Sequence, residues 1–184
     1  MKTKWIVAAL LVVVSLAASP AQGKKKYVPK RADYSFRTEV LAGIKDPDIE
    51  AILPRLMVII SNKEVSDSVV FEAPHPDAPE FLGFGEVKEE DINFDGVPDL
   101  QVNLGPFNGW GNFTYEGFVW NKKEHKFDYV DEYCQIFEPY IDKQAKQIRG
   151  GLRVDNELNW DVWEWRNDKL TKVEEGVENL NYDE

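Results

Sequence analysis

Residues 91–104 read Asp-Ile-Asn-Phe-Asp-Gly-Val-Pro-Asp-Leu-Gln-Val-Asn-Leu, and two patterns meet there. The first is a ring of oxygens. Asp91, Asn93, Asp95 and Asp99 occupy positions 1, 3, 5 and 9 of a loop whose sixth residue is Gly96. A hard dication takes six to eight oxygen ligands, and this spacing lets those four side chains converge while Gly96 makes the sharp turn and Val97 offers its carbonyl. The second pattern is strand-like: Leu100, Val102 and Leu104 alternate with Gln101 and Asn103. An EF-hand would follow its loop with a helix and place a bidentate Glu at position 12, where this chain has Val102. The stretch therefore predicts a Ca2+ loop on a β scaffold, with water, Glu89 or Glu90 completing the shell. The competing reading is an Asp95-Gly96 hairpin turn among solvated acids.

The rest of the chain agrees with a mainly β fold. Tyr34, Phe36, Thr38 and Val40 alternate with polar residues, so a first strand starts near Asp33. Asp46 as N-cap and Pro47 at the first helical position predict a short helical turn over Ile49 to Leu53, stopped by Pro54. Leu56 to Ile60, the turn at Ser61 to Lys63, and Val69 to Phe71 predict a hairpin. Pro74, Pro76 and Pro79 mark an irregular connection. Further strands fit 99–104, 113–120, 127–130, 146–154, 158–165 and 170–173. In 113–120, Phe113, Tyr115 and Val119 lie on one face and Phe118 and Trp120 on the other, so both faces are apolar. Trp163 and Trp165 share one face of their strand and Trp160 takes the other. Such strands belong where antiparallel sheets stack face to face, as in a small β-propeller-like arrangement of hairpins or, alternatively, a β-sandwich.

Lys2 and Lys4 precede an apolar run from Trp5 to Leu16, and Ser19-Pro20-Ala21 supplies small residues for cleavage, so residues 1–21 read as an export signal peptide. A membrane helix needs about 20 apolar residues, more than this run holds. A periplasmic or secreted protein follows, with no stable membrane insertion. Residues 22–32 read as a basic flexible arm, 33–173 as one β domain and 174–184 as an acidic tail. The net charge of −11 disfavours nucleic acid and would steer basic proteins toward the chain. Cys134 is the lone cysteine, which excludes an internal disulfide.

The loop sequence Asp-x-Asn-Phe-Asp-Gly-x-x-Asp-Leu is followed by a glycine-rich segment ending Gly111-Asn112-Phe113-Thr114-Tyr115. An aromatic strand to Val119-Trp120 and a charged turn before Phe127 come next. Over roughly residues 85 to 172 this resembles the bacterial periplasmic inhibitors of I-type and C-type lysozymes, and the loop alone is similar to those of FG-GAP repeats. The resemblance implies a propeller-like β fold, Ca2+ at Asp91, Asn93, Asp95, Val97 and Asp99, and inhibition by a loop pushed into the lysozyme cleft. In the corresponding place this chain has the glycine-rich loop Gly105 to Asn112, which reads Asn108-Gly109-Trp110-Gly111-Asn112 instead of the family's Ser-Gly stretch. Aromatic anchors on such a loop suit binding, so Phe107, Asn108, Trp110 and Asn112 are the expected contact residues with Tyr115 at the base. The expected partner is a basic protein such as a lysozyme.

A glycan stacked on Trp110 is the alternative ligand, giving a carbohydrate-binding or cell-surface domain with structural calcium. For a hydrolase, only His75 and His125 are available and no Gly-x-Ser-x-Gly elbow occurs. Asp161 and Glu164, three residues apart in a strand, point to opposite faces. The sequence therefore reads as a non-enzymatic binding protein.

Overall fold

A computed structural model of the chain describes residues 27–48, 50–108 and 111–180. The expected signal peptide and the Lys24 to Lys26 run lie outside the described residues, as do Gly109 and Trp110 of the expected contact loop. The fold is mainly β and consists of three antiparallel sheets, each a meander in chain order. The first holds β1 (Ser35–Lys45), β2 (Ile52–Ser61) and β3 (Ser66–Glu72). The second holds β4 (Val87–Glu90), β5 (Asp99–Pro106), β6 (Phe113–Asn121) and β7 (Lys126–Val130). The third holds β8 (Tyr140–Asp142), β9 (Gln147–Val154), β10 (Glu157–Arg166) and β11 (Lys169–Asn179). No helix among the described residues is long and apolar enough to cross a membrane.

The second sheet is covered on both faces, which is why its strands are apolar on both. Leu100, Val102, Leu104 and Phe118 pack with Leu56, Val58 and Ile60 of β2 in one core. Across the sheet, Tyr115 and Val119 join Ile148, Trp163, Leu170 and the 3-10 turn of Tyr133–Gln135 in a second core. All eight residues of β5 are buried. The tryptophans divide as expected, Trp163 and Trp165 facing that second core. Gly117 leaves room for Tyr133, since a Cβ there would stand 2.5 Å from the ring carbon Cγ.

Several expectations are corrected. Residues 52–53 are strand and not a helical turn, because Lys45 pairs with Ile52 and Ile44 with Leu53 in a long β1–β2 hairpin. Asp46 caps the turn instead, its Oδ1 accepting the Asp48 N–H at 2.7 Å. Pro54 sits inside β2 beside a bulge, where a missing ladder donor is tolerated. The acidic residues 174–179 are not a frayed tail. They form the end of β11, paired from Glu174–Val162 to Asn179–Glu157. Gly105 and Pro106 belong to β5, so the loop proper is shorter than expected. Arg31 is not part of a flexible arm: its guanidinium lies 4.8 Å and 4.9 Å from the ring centres of Phe36 and Phe127 and pairs with Glu89 at 2.8 Å.

Candidate metal loop and contact loop

The 91–99 loop is built by alternation. Ile92 is fully buried and Phe94 packs on the second core, which leaves Asp91, Asn93 and Asp95 to the outer side. Their oxygens gather the loop's own N–H groups. Asp91 accepts from Asp95 and Gly96 at 3.0 Å each, Asn93 Oδ1 from Asp95 at 3.0 Å, and Asp95 Oδ1 from Val97 at 2.8 Å. Gly96 has a φ of 83°, the left-handed region that glycine enters without strain. The indole N–H of Trp165 donates to the Ile92 carbonyl at 2.7 Å and ties the loop to the third sheet.

Asp99 faces inward and is fully buried. Its Oδ2 accepts the N–H groups of Ile92 and Asn93 at 3.0 and 3.2 Å, and its Oδ1 accepts that of Trp120 at 2.8 Å. Burial raises its pKa to about 6, against the opposing pull of those three donors. Glu89 and Glu90 pair with Arg31 and Lys143, the latter at 2.7 Å. Among the described residues no three His, Cys, Asp or Glu side chains gather as a metal-holding group. A cation here would therefore draw on Asn93 and the Val97 carbonyl as well. The outer side chains of the loop are oxygen donors, the type a hard cation takes, and the loop already attracts one positive charge. The Lys122 ammonium lies 3.0 Å from Asp95 Oδ2 and 3.3 Å from the Asp95 carbonyl oxygen.

At the other end of β5 the chain enters the contact loop, closed by the Phe107 N–H donating to the Asn112 carbonyl at 3.0 Å. Phe107 is 49% exposed and meets Phe137 edge-on at 5.2 Å. Asn108 Oδ1 accepts from Asn112 Nδ2 at 2.8 Å. Asn112 itself is buried. Its Nδ2 donates to the Arg153 carbonyl at 2.7 Å and its Oδ1 accepts the Arg153 N–H at 2.8 Å, clamping the loop base to β9. Tyr115 packs on the second core, and burial raises its hydroxyl pKa. Of the expected contact residues that are described, Phe107 is thus the exposed aromatic, while Asn112 and Tyr115 hold the base from within.

Phe137 also walls a groove of about 550 Å³ over β9 to β11, with Leu152, Asp161 and Val177 on its lining. Asp161 leans to Lys172 at 3.7 Å, while Glu164 hydrogen-bonds Gln147 and Arg166. Leu82, 97% exposed in the connection before β4, is an apolar surface group that the sequence reading passed over.

No family model matches the chain, and no curated protein does. A solved structure described as "Structure of a Xanthomonas Type IV Secretion System related protein" is similar to it, with a TM-score of 0.52 and 12% identity. The match covers 81% of this chain and 79% of that one, a likeness that shows a shared fold.

Proposed function

We propose that the chain is an exported calcium-binding β-protein that acts as a binding and inhibitor module, gripping a basic protein such as a lysozyme with the loop that follows β5. In this reading the three sheets are blades of a small open propeller. The observation that carries it is the course of β5. The strand starts at Asp99, whose carboxylate is fixed by the metal loop's own N–H groups, and ends at Pro106, one residue before Phe107. A rigid, wholly buried strand thus joins the cation loop to the contact loop, and ordering the first pre-organises the second. The resemblance of residues 85 to 172 to periplasmic lysozyme inhibitors supports this reading.

The test is an activity assay of I-type, C-type and G-type lysozymes with the purified chain, with and without calcium. One class should be inhibited, and Phe107→Ala and Trp110→Ala should relieve it. If no lysozyme is inhibited or bound, the reading fails.

A further inference from the structure

The β1–β2 hairpin is longer than the body that supports it. Thr38 Oγ1 donates to the Gly85 carbonyl at 2.9 Å, and Gly85 in turn donates to the Asn103 carbonyl at 2.8 Å, so Thr38 stands level with the second half of β5. Beyond Thr38 the strand runs on to Lys45 and returns from Ile52, an arm at the same end of the molecule as the contact loop. Register sets what the arm shows to the body. Val40 opposes Leu56, a residue of the first core, and Ile52 lies four residues before Leu56 on the same face of β2. Yet Val40 is 59% and Ile52 65% exposed, so the core face of the arm continues past the core largely open to solvent.

The segment beneath the arm is apolar too. Leu82 tops the connection whose Gly85 meets Thr38 and whose Phe81 meets Phe113, the first residue after the contact loop, at 6.3 Å. Val40 and Ile52 of the arm, Leu82 and Phe107 are thus exposed apolar side chains on segments linked through Thr38 at Gly85, through Ala78 and Phe84 at Gly105, and through Phe81 at Phe113. The charges around these residues are mostly negative: the arm holds Asp46, Asp48 and Glu50 against Lys45 and Arg55, and the Leu82 segment is bracketed by Glu80 and Glu86. Exposed apolar side chains among acidic groups, on a chain of net charge −11, are complementary to a basic protein with exposed apolar side chains of its own.

Resting on the inhibitor reading above, we propose that the β1–β2 arm is a second contact element, so that a basic protein partner is held between Val40 and Ile52 on one side and Leu82 and Phe107 on the other. The arm supplies apolar contact, and its acidic tip steers the partner's approach.

The experiment titrates the full chain against C-type, G-type and I-type lysozymes, comparing wild type, the double variant Val40→Ser/Ile52→Ser, Asp48→Lys/Glu50→Lys, and Phe107→Ala. Circular dichroism and melting of each variant establish that it folds. The apolar arm variant should bind about tenfold or more weakly with its melting unchanged, and the charge variant should associate more slowly with less dependence on salt. If the arm variants bind like wild type while Phe107→Ala loses binding, the arm proposal is overturned and the loop reading stands. If wild type binds no lysozyme, the loop reading falls and the arm with it. If the apolar arm variant leaves binding intact but turns a dimer into a monomer by light scattering, the arm is a self-association face and the proposal is overturned.

Discussion

The Asp99 carboxylate accepts the backbone N–H of Trp120 at 2.8 Å while its other oxygen holds Ile92 and Asn93, so one side chain fastens the loop to the neighbouring strand. No sheet pairing supplies these links. Asp99→Ala would leave three N–H groups without their acceptor in a fully buried place, and each orphaned group costs about 1–3 kcal/mol. The variant should lose about 3 kcal/mol or more in urea unfolding. Asp99→Asn, which keeps the shape but offers fewer acceptor sites, should lose less. A loss under about 0.5 kcal/mol in the Ala variant, the range of ordinary surface changes, would mean that the latch is not structural.

How much of this was legible in the sequence depends on whether a residue's role is local. The alternation in 99–104 and 113–120 is local, and both strands stand with the faces it predicted. The turn at Asn167 and Asp168, both at positive φ, is local as well. Val87–Glu90 and Tyr140–Asp142 carry no alternation, because they are short edge strands defined by their partners β5 and β9. The Asp46-Pro47 pair serves a helix start and a hairpin turn equally, and only pairing across the hairpin decides between them. Arg31 looked like one more cation in a basic run. Its role depends on Phe36, Phe127 and Glu89, and the last two are far away in sequence. Asn112 hides its function for the same reason, since its partner is the Arg153 backbone 41 residues on.

Calcium should stabilise the fold by mass action. A ligand bound only by the folded state adds about 2.7 kcal/mol at a hundredfold over its dissociation constant. Melting temperature should rise with calcium and fall with chelator, and Asp95→Ala should abolish the response. Lys122→Met removes the ammonium that stands on Asp95 and should strengthen the calcium response. A melting temperature indifferent to calcium in the wild type would remove the metal from the account.

Gly117 gives a test of how the second sheet meets the third. A methyl group there would fall 2.5 Å from Tyr133 Cγ and 2.9 Å from its Cβ, and Tyr133 is fully buried with nowhere to move. Gly117→Ala should therefore cost about 1–3 kcal/mol by overpacking, although alanine usually suits a strand better than glycine. The paired variant Gly117→Ala/Tyr133→Ala should recover little, since it opens a cavity where the ring was. Gly96→Ala offers the contrast: no atom lies within 4 Å of its added Cβ, so its cost is backbone strain alone. A neutral Gly117→Ala would show that the turn at Tyr133–Gln135 does not press on β6 in solution.

Glu116 should make stability depend on pH. It lies buried on β6, accepts the Tyr129 hydroxyl at 2.6 Å, and has its pKa pushed from 4.5 up to about 7, chiefly by burial and secondarily by the charge of Asp131. The folded state therefore holds this proton more tightly than the unfolded state. Between pH 4.5 and about 7 the folded form binds more protons, so stability falls as pH rises through that window and levels off above it. The whole effect amounts to about 3 kcal/mol at most. Asp99 is shifted in the same direction, so the informative quantity is the difference between wild type and Glu116→Gln in urea midpoints taken across the window. Glu116→Gln should gain stability relative to wild type as pH rises from 4.5 to 7. Tyr129→Phe, which removes the donor that favours the carboxylate, should steepen the wild-type slope. If the two midpoints run parallel across the window, Glu116 titrates normally, and its place beside Tyr129 is open to water in solution.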